Sequence, residues 1–412
     1  MSDRPPRRAA AALGYRDFRL FQVGRFTAVV GTQMLSVAVG WQVYDLTRRP
    51  LDLGYVGLAQ FLPGFVLALP AGHVADRADR RRIVALCQAV YVLVAAALIA
   101  FVETGASSPA LIYALLVAFG AARGFSGPAG QALMPDLVPG EHFANAVAWG
   151  SSAWQVATIV GPAAGGVAYA AGGPTLAYGL GAALFVVSVV ATLAIRTVPS
   201  RSKEEGASWA SLLAGVRFVF AKKIILGALT LDLFAVLLGG ATALLPVYAR
   251  DVLHVGPTGL GVLRAAPGFG AALMAIGLAY RPLGGRAGGT LFACVLIFGV
   301  ATIAFGASRS FPLSLAALVT LGAADLVSVV VRHTVVQLST PPEMRGRVSA
   351  VNVVFIGASN ELGEFESGVT AALLGTVPAV VLGGVGTCFV VLVSLFLFPE
   401  LRRVDRLEPG AI

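Results

Sequence analysis

Charge is scarce in this chain. Asp, Glu, Lys and Arg make up 12% of its 412 residues, against about 25% in soluble domains, and 57% of the residues are hydrophobic. That balance excludes an ordinary water-soluble domain and leaves a polytopic membrane protein. Cysteine is almost as rare: Cys87, Cys294 and Cys388 lie inside separate apolar runs without a C-x-x-C spacing, so neither disulfides nor a thiolate metal site is implied. The four histidines are isolated, and no pair has metal-ligand spacing. Signatures for nucleotide hydrolysis (G-x-x-x-x-G-K-S/T), zinc proteolysis (H-E-x-x-H) and serine hydrolysis (G-x-S-x-G) are missing, and Gly124-Phe125-Ser126-Gly127-Pro128 fails the last by its ordering. No enzyme activity and no cofactor is implied. Energy for any transport must then come from an ion gradient or from the substrate's own. The N-terminus, Met1 to Arg19, is basic but has no short apolar core followed by a small-residue cleavage site, and reads as a retained tail.

What the chain has instead is apolar length. A bilayer needs roughly 20 mainly apolar residues per helix, and twelve such runs lie between residues 18 and 398. An even number puts both termini on one side. The net charge of +9 does not point to nucleic acid, because the basic residues are spread over short loops rather than gathered with aromatics on one face. It is a topology signal. With the N-terminus in the cytoplasm, only Arg48, Arg49, Arg250 and Arg309 fall outside and only Arg25, Arg123, Arg264 and Arg332 fall within runs, which leaves the other Lys and Arg inside.

One long polar linker, residues 197–222, separates a bundle of six runs at 1–196 from a second at 223–412. Trp209, Leu212, Leu213, Val216 and Phe220 follow helical spacing, which predicts an amphipathic helix in the interface. The halves also look alike. Gly57-x5-Pro63-Gly64-Phe65-x2-Ala68-Leu69 recurs as Gly261-x5-Pro267-Gly268-Phe269-x2-Ala272-Leu273, and Val43-Tyr44 as Val247-Tyr248 at the same offset. One offset for two separate matches argues for duplication, and such parallel repeats mark folds in which two bundles rock around a central site.

Between the second and third runs lies Gly72-His73-Val74-Ala75-Asp76-Arg77-Ala78-Asp79-Arg80-Arg81-Arg82. Gly72 is expected to end the second helix. Asp76 and Arg80 are four apart and Asp79 and Arg82 three apart, spacings at which side chains on a helical turn meet. A carboxylate here can also dock on the positive end of a neighbouring helix and act as a latch. In the fifth run, Ala157-Thr158-Ile159-Val160-Gly161-Pro162-Ala163-Ala164-Gly165-Gly166 sets small residues around a proline, which predicts close helix contact and a bend.

Charged residues inside the last six runs are the remaining signal, since each costs about 2.5 to 3.5 kcal/mol at the bilayer centre and needs a partner or a wet cavity. Glu361 and Glu364 share a helical face while Glu366 points elsewhere, and Asp325 and Arg332, seven apart, share another. Two acids close together hold a proton more tightly and an acid beside arginine releases it, so movement that changes those distances would couple protons to transport. The alternative is a buried ion pair that only fixes packing. Asp232 and Arg264 are weaker candidates of the same kind. Gln33, Trp41, Gln42, Trp154, Gln155 and Asn360 are polar or aromatic groups at membrane depth and are candidates for substrate contact, against the commoner role of packing or interfacial anchors.

These motifs resemble those of the major facilitator superfamily. The first loop resembles its motif A, with Gly72, Asp76, Arg80, Arg81 and Arg82 at the fixed positions, and the fifth run resembles its motif C, the antiporter signature, at Gly161, Pro162, Gly165 and Gly166 with Ala157 in place of the first glycine. Arg123-Gly124-Phe125-Ser126-Gly127 resembles motif B, with Ser126 where glutamine is usual, and would make Arg123 a residue linked to proton transfer. Tyr15 to Phe21, Gly57 to Pro63, Gly127 to Pro139 and Pro342 to Val348 are similar to the enterobactin-exporter branch of that superfamily. The resemblance implies an all-α fold of twelve transmembrane helices in two pseudo-symmetric six-helix bundles. It also implies a proton-coupled exporter of a small amphipathic molecule, a siderophore-like metabolite or a drug, working by alternating access. A monomer in a bacterial inner membrane is expected, with the lipid bilayer, protons and the substrate as its partners. An importer or facilitator of the same fold, and a non-transporting sensor or assembly partner, are the rival readings.

Overall fold

In hydrocarbon no water is present to pair with backbone N–H and C=O groups, so a spanning chain must satisfy them within its own helices. The computed structural model describes residues 10–105, 108–196, 209–281 and 285–405, and among them there is no β-strand. Within those segments the side chains of a few residues, Asp76 and Glu361 among them, lie outside the description. The described helices are α1 (Arg16–Thr47), α2 (Pro50–Val66), α3 (Ala68–Arg77), α4 (Arg80–Glu103), α5 (Pro109–Leu133), α6 (Phe143–Leu193), α7 (Trp209–Ala221), α8 (Lys223–Leu238), the single turn α9 (Leu245–Val247), α10 (Gly256–Tyr280), α11 (Ala287–Ala307), α12 (Phe311–Leu338), α13 (Arg345–Leu374), α14 (Thr376–Leu397) and the single turn α15 (Pro399–Arg402).

Nine described stretches are long and apolar enough to cross a bilayer. The stretch Gly140–Leu193 has 54 residues and holds two crossings, divided where Gly172 and Gly173 leave helical dihedrals. Gly173 has φ +67, the left-handed region that a residue without a Cβ enters freely. The pair α2 and α3, and α13, supply two more crossings, which brings the total to twelve. The break falls between the fifth and sixth apolar runs of the sequence, just before Pro174, while Pro162 lies within helical backbone.

By compactness the chain forms two units, Met1–Val39 with Ala59–Ala207, and Gly40–Leu58 with Ser208–Ile412. In the first, α4 packs on α5 and α6, and α3 on α5. Lipid tails are as apolar as leucine, so helices are held by close approach rather than by hydrophobic expulsion. Gly161 and Gly165 provide that approach to α1: a Cβ on Gly161 would stand 2.6 Å from Gln33 Cβ, and one on Gly165 2.8 Å from Met34 Cα. Gly124 faces Gly64 in the same way, with 2.9 Å from its would-be Cβ to Gly64 Cα. Tyr91, Phe119 and Phe185 fill the interior, with ring centroids 4.4 to 6.3 Å apart.

In the second unit α12 packs against α10 and α11, α14 against α11, and α8 against α13 and α14. A Cβ on Gly322 would overlap the Pro267 carbonyl and one on Gly270 the Val319 carbonyl, so α10 and α12 meet backbone to backbone. Residues 40–58 belong here. Arg250 pairs with Asp45 and stacks over Trp41 at 5.5 Å, while the Tyr44 hydroxyl donates to Asp251. The linker helix α7 forms as predicted, with Val216 and Val219 packed towards Val348 and Val351 while Leu213 and Phe220 stay exposed.

Gly165→Ala should force α1 and α6 apart and destabilise the protein by about 1–3 kcal/mol, read as a lower melting temperature in detergent. Gly130→Ala, where nothing lies within 4 Å, should leave the melting temperature unchanged or raise it. Equal effects of the two substitutions would refute the glycine seam.

Candidate functional site

Burying a guanidinium is tolerable only if its charge and its donors find partners. Arg332 on α12 is 2% exposed, and its Nη2 lies 3.3 Å from Asp232 Oδ2 on α8. Its Nη1 donates to Asn352 Oδ1 on α13 at 2.9 Å. The third nitrogen, Nε, is buried without a hydrogen-bond partner among the described residues. Three helices thus converge on one cation whose donors are not all used. Asp325, two turns before Arg332 on α12, lines a small cavity with Asp232, Ser328, Ala235, Val236, Val295 and Phe298. Its free volume is about 10 Å³, the scale of a single water molecule. Two carboxylates thus line a water-sized cavity in the interior of the unit, and one of them is paired with a buried guanidinium.

The structure brings together only part of the predicted acidic group. Asp325 and Arg332 meet Asp232, a weaker candidate from sequence, and Asn352, which sequence reasoning did not single out. Asn352 is uncharged and 20 residues from Arg332 in sequence, so its role is visible only once α12 and α13 are packed. Glu364 is elsewhere: a Cβ on Gly57 would stand 2.8 Å from its Oε2, which places it against the middle of α2. Glu366 accepts from the Thr370 hydroxyl at 2.7 Å. The predicted pairing of Glu361 with Glu364 rests on a side chain outside the described residues.

The loop after α3 is built differently from the expectation. Gly72 does not end a helix, because α3 runs through it to Arg77. Asp76 and Arg80 are on two helices, so the four-residue spacing does not stack them on one turn. Asp79 caps α4, accepting from the backbone N–H groups of Arg81 and Arg82 at 3.0 and 3.3 Å, and also pairs with the Arg82 side chain at 3.3 Å. An N-cap carboxylate satisfies donors that a helix start leaves open. Arg80 is buried and reaches Asp136 at 3.1 Å, with further donation to the Ala132 and Ala75 carbonyls. Arg81 donates to the Ile195 carbonyl. Asp136 falls in the Gly127 to Pro139 stretch that resembles the exporter branch, but nothing in the sequence pairs it with Arg80.

The candidate substrate contacts are scattered. Gln33 lies in the α1–α6 seam against Gly161, Trp154 on α6 is 48% exposed, and Arg25 stacks over its ring at 5.8 Å. Gln155 follows on α6 and is partly buried. Trp41 is buried under Arg250, a packing position. Asn360 is exposed and turns its amide to the Ile356 carbonyl of its own helix. Arg123 on α5 is exposed. Among the described residues no group of three His, Cys, Asp or Glu side chains could hold a metal ion.

A family model described as transmembrane secretion effector matches residues 8–409. The chain belongs to that family. This secretion-effector chain is 26% identical over 395 residues to the enterobactin exporter EntS of Shigella boydii serotype 18, covering 95% of this chain and 94% of the relative. The EntS of Escherichia fergusonii matches to the same extent. Among solved structures it is similar to a bacterial homologue of the lysosomal transporter Spinster, inward-facing and occupied (TM-score 0.73, 15% identity, 95% and 97% of the two chains). It is also similar to the nucleoside transporter NupG (TM-score 0.71, 14% identity, 93% and 99%). These secretion effectors and their structural neighbours share the major facilitator fold, and this chain is a multi-pass membrane transporter of that type.

Arg332→Met leaves Asp232 charged and buried alone, and should destabilise the transporter by about 3–5 kcal/mol. The double variant Asp232→Asn with Arg332→Met should recover much of that loss. Thermal unfolding in one detergent compares them, and a double variant no more stable than the single one would show that the pair does not behave as a unit.

Proposed function

We propose that this transporter is a proton-coupled exporter of a small amphipathic molecule, a siderophore-like metabolite or a drug, working by alternating access in a bacterial inner membrane. The observation that carries the reading is the buried cluster of Asp232, Arg332 and Asp325 beside a cavity large enough for one water. A packing ion pair needs one acid per arginine, whereas this cluster holds a second acid at the cavity. The likeness to enterobactin exporters over nearly the whole chain supports export and the size of the cargo.

In this mechanism Asp325 is the proton carrier. While it is charged, it competes with Asp232 for Arg332, and a proton on it releases Arg332 to Asp232 and Asn352. Exchange of partners on α12 changes what holds α8, α12 and α13 together, which is the step that biases one packing of the unit over another. Glu361 and Glu364 are a second acidic pair on α13, and Arg123 a cation linked to the same proton path. The loop from Gly72 to Arg82 acts as a gate, with Asp76, Arg80, Arg81 and Arg82 as its charges. The Gly161, Pro162, Gly165 and Gly166 face lets α6 slide along α1. Gln33, Trp154 and Gln155 on the first unit supply substrate contacts, whereas Trp41 packs under Arg250 and Asn360 bonds to its own helix. Residues 1–196 and 223–412 act as the two bundles joined by the linker at 197–222, both termini are cytoplasmic, and the monomer is the working unit.

Asp325→Asn fixes the neutral form. It should abolish transport driven by an imposed proton gradient in proteoliposomes while leaving substrate exchange across the membrane, without a gradient, within about threefold of wild type, since exchange needs no net proton movement. A variant that still accumulates substrate against its gradient would remove Asp325 from the proton path. The cargo and direction are read by comparing the small molecules of cells and medium with and without the gene. A compound retained in cells lacking it supports export, and one left unconsumed in the medium overturns it.

A further inference from the structure

The first unit carries an intramembrane cation that the proton mechanism does not use. Arg25 lies nine residues into α1, about 13 Å along the helix from Arg16, inside a stretch long and apolar enough to span a bilayer. Among the described residues it has no ion pair and no hydrogen bond, and its recorded contact is with the Trp154 ring, 5.8 Å from the guanidinium carbon to the centroid. The carboxylates of this unit offer no remedy from within the membrane. Asp17, Asp76 and Glu103 sit at helix ends, Asp79, Asp136 and Glu141 lie between helices, and α5 and α6 have none.

A charge that deep is costly, and one without a counter-ion faces water or waits for a ligand. The surroundings favour a ligand. Gln22, Arg25, Gln33 and Ser36 fall within about 80° of arc on α1 at 3.6 residues per turn, a polar stripe along one face of the helix. Gln33 on that stripe meets α6 at Gly161, and Gly150 on α6 leaves the guanidinium its place, since a Cβ there would stand 3.2 Å from Arg25 Nη1. Trp154, one turn on, keeps 48% of its surface exposed.

We propose that Arg25 and Trp154 form a subsite of the first unit that recognises the acidic group of a substrate carrying a carboxylate next to an aromatic ring. The proposal rests on the transporter reading above and narrows its cargo to organic anions of that kind. The planar guanidinium offers paired N–H donors to a carboxylate. The exposed face of Trp154 stacks on the ligand's ring, and the two residues are already held together by the cation–π contact.

Equilibrium binding tests this without any proton gradient, so it stands or falls separately from coupling and from the direction of transport. The full chain in phosphatidylcholine nanodiscs is titrated with naphthoate and with its uncharged analogue naphthamide. Wild type should bind the acid at least about tenfold tighter than the amide, the scale of a hydrogen bond to a charged group. Arg25→Gln should bring the two ligands within about twofold, Arg25→Lys should keep part of the preference, and Trp154→Leu should weaken both ligands alike. Gly150→Ala, which moves the guanidinium without removing it, should also lower the preference and serves if Arg25→Gln does not fold. Equal binding of acid and amide by wild type, or no binding of either, overturns the proposal. So does an acid preference that survives Arg25→Gln. If that variant instead loses only the thermal stabilisation given by added phosphatidylglycerol, Arg25 holds a lipid phosphate and not a substrate.

Discussion

The fold depends on helix backbones approaching one another without side chains between them. In water the expulsion of apolar surface would hold the bundle, but inside a bilayer that force is absent and van der Waals contact must replace it. Gly161 and Gly165 bring α6 onto α1, Gly124 meets Gly64, and Gly270 and Gly322 seat α10 on α12. The repeat segments with Pro63 and Pro267 take part in corresponding contacts in their own units, so the duplication seen in sequence is a duplication of a packing device. Once backbones are that close, a residue such as Arg332 can be reached from α8 and α13 together. The charged site is a product of the glycine seams.

That ordering explains what could be read from sequence and what could not. Twelve crossings, the linker helix over Trp209 to Phe220 and the interest of Arg332 all follow from composition and period, because a membrane imposes length and penalises charge locally. Partner choice does not follow. Asp232 and Asn352 are distant from Arg332 in sequence, and Glu364, which shares the right composition, faces Gly57 instead. Sequence spacing also misjudged Asp76 and Arg80, since it assumes one continuous helix where Ala78 and Asp79 interrupt two. The helix stop was assigned to Gly72 on conformational freedom alone, while the N-cap at Asp79 decides where α4 begins.

The two units divide their charge unequally. Apart from its helix ends, the first holds cations, Arg25 and Arg123, and the second holds Asp232, Asp325 and three glutamates beside Arg264 and Arg332. The loop after α10 has no aspartate of its own, and the acid at the start of α11 comes from the far end of the chain, where Asp405 accepts from the Arg286 backbone N–H at 2.7 Å.

The turn inside α6 bears on how the chain enters its membrane. Its two crossings are joined by Gly172 and Gly173 alone, with no polar loop between them. Neither crossing can be anchored on that side by a charge of its own, so the pair must partition into the bilayer as one helical hairpin, oriented by Arg196 at its far end. For this stretch the unit of biogenesis is the hairpin rather than the helix, and a change that strands one crossing strands its neighbour as well.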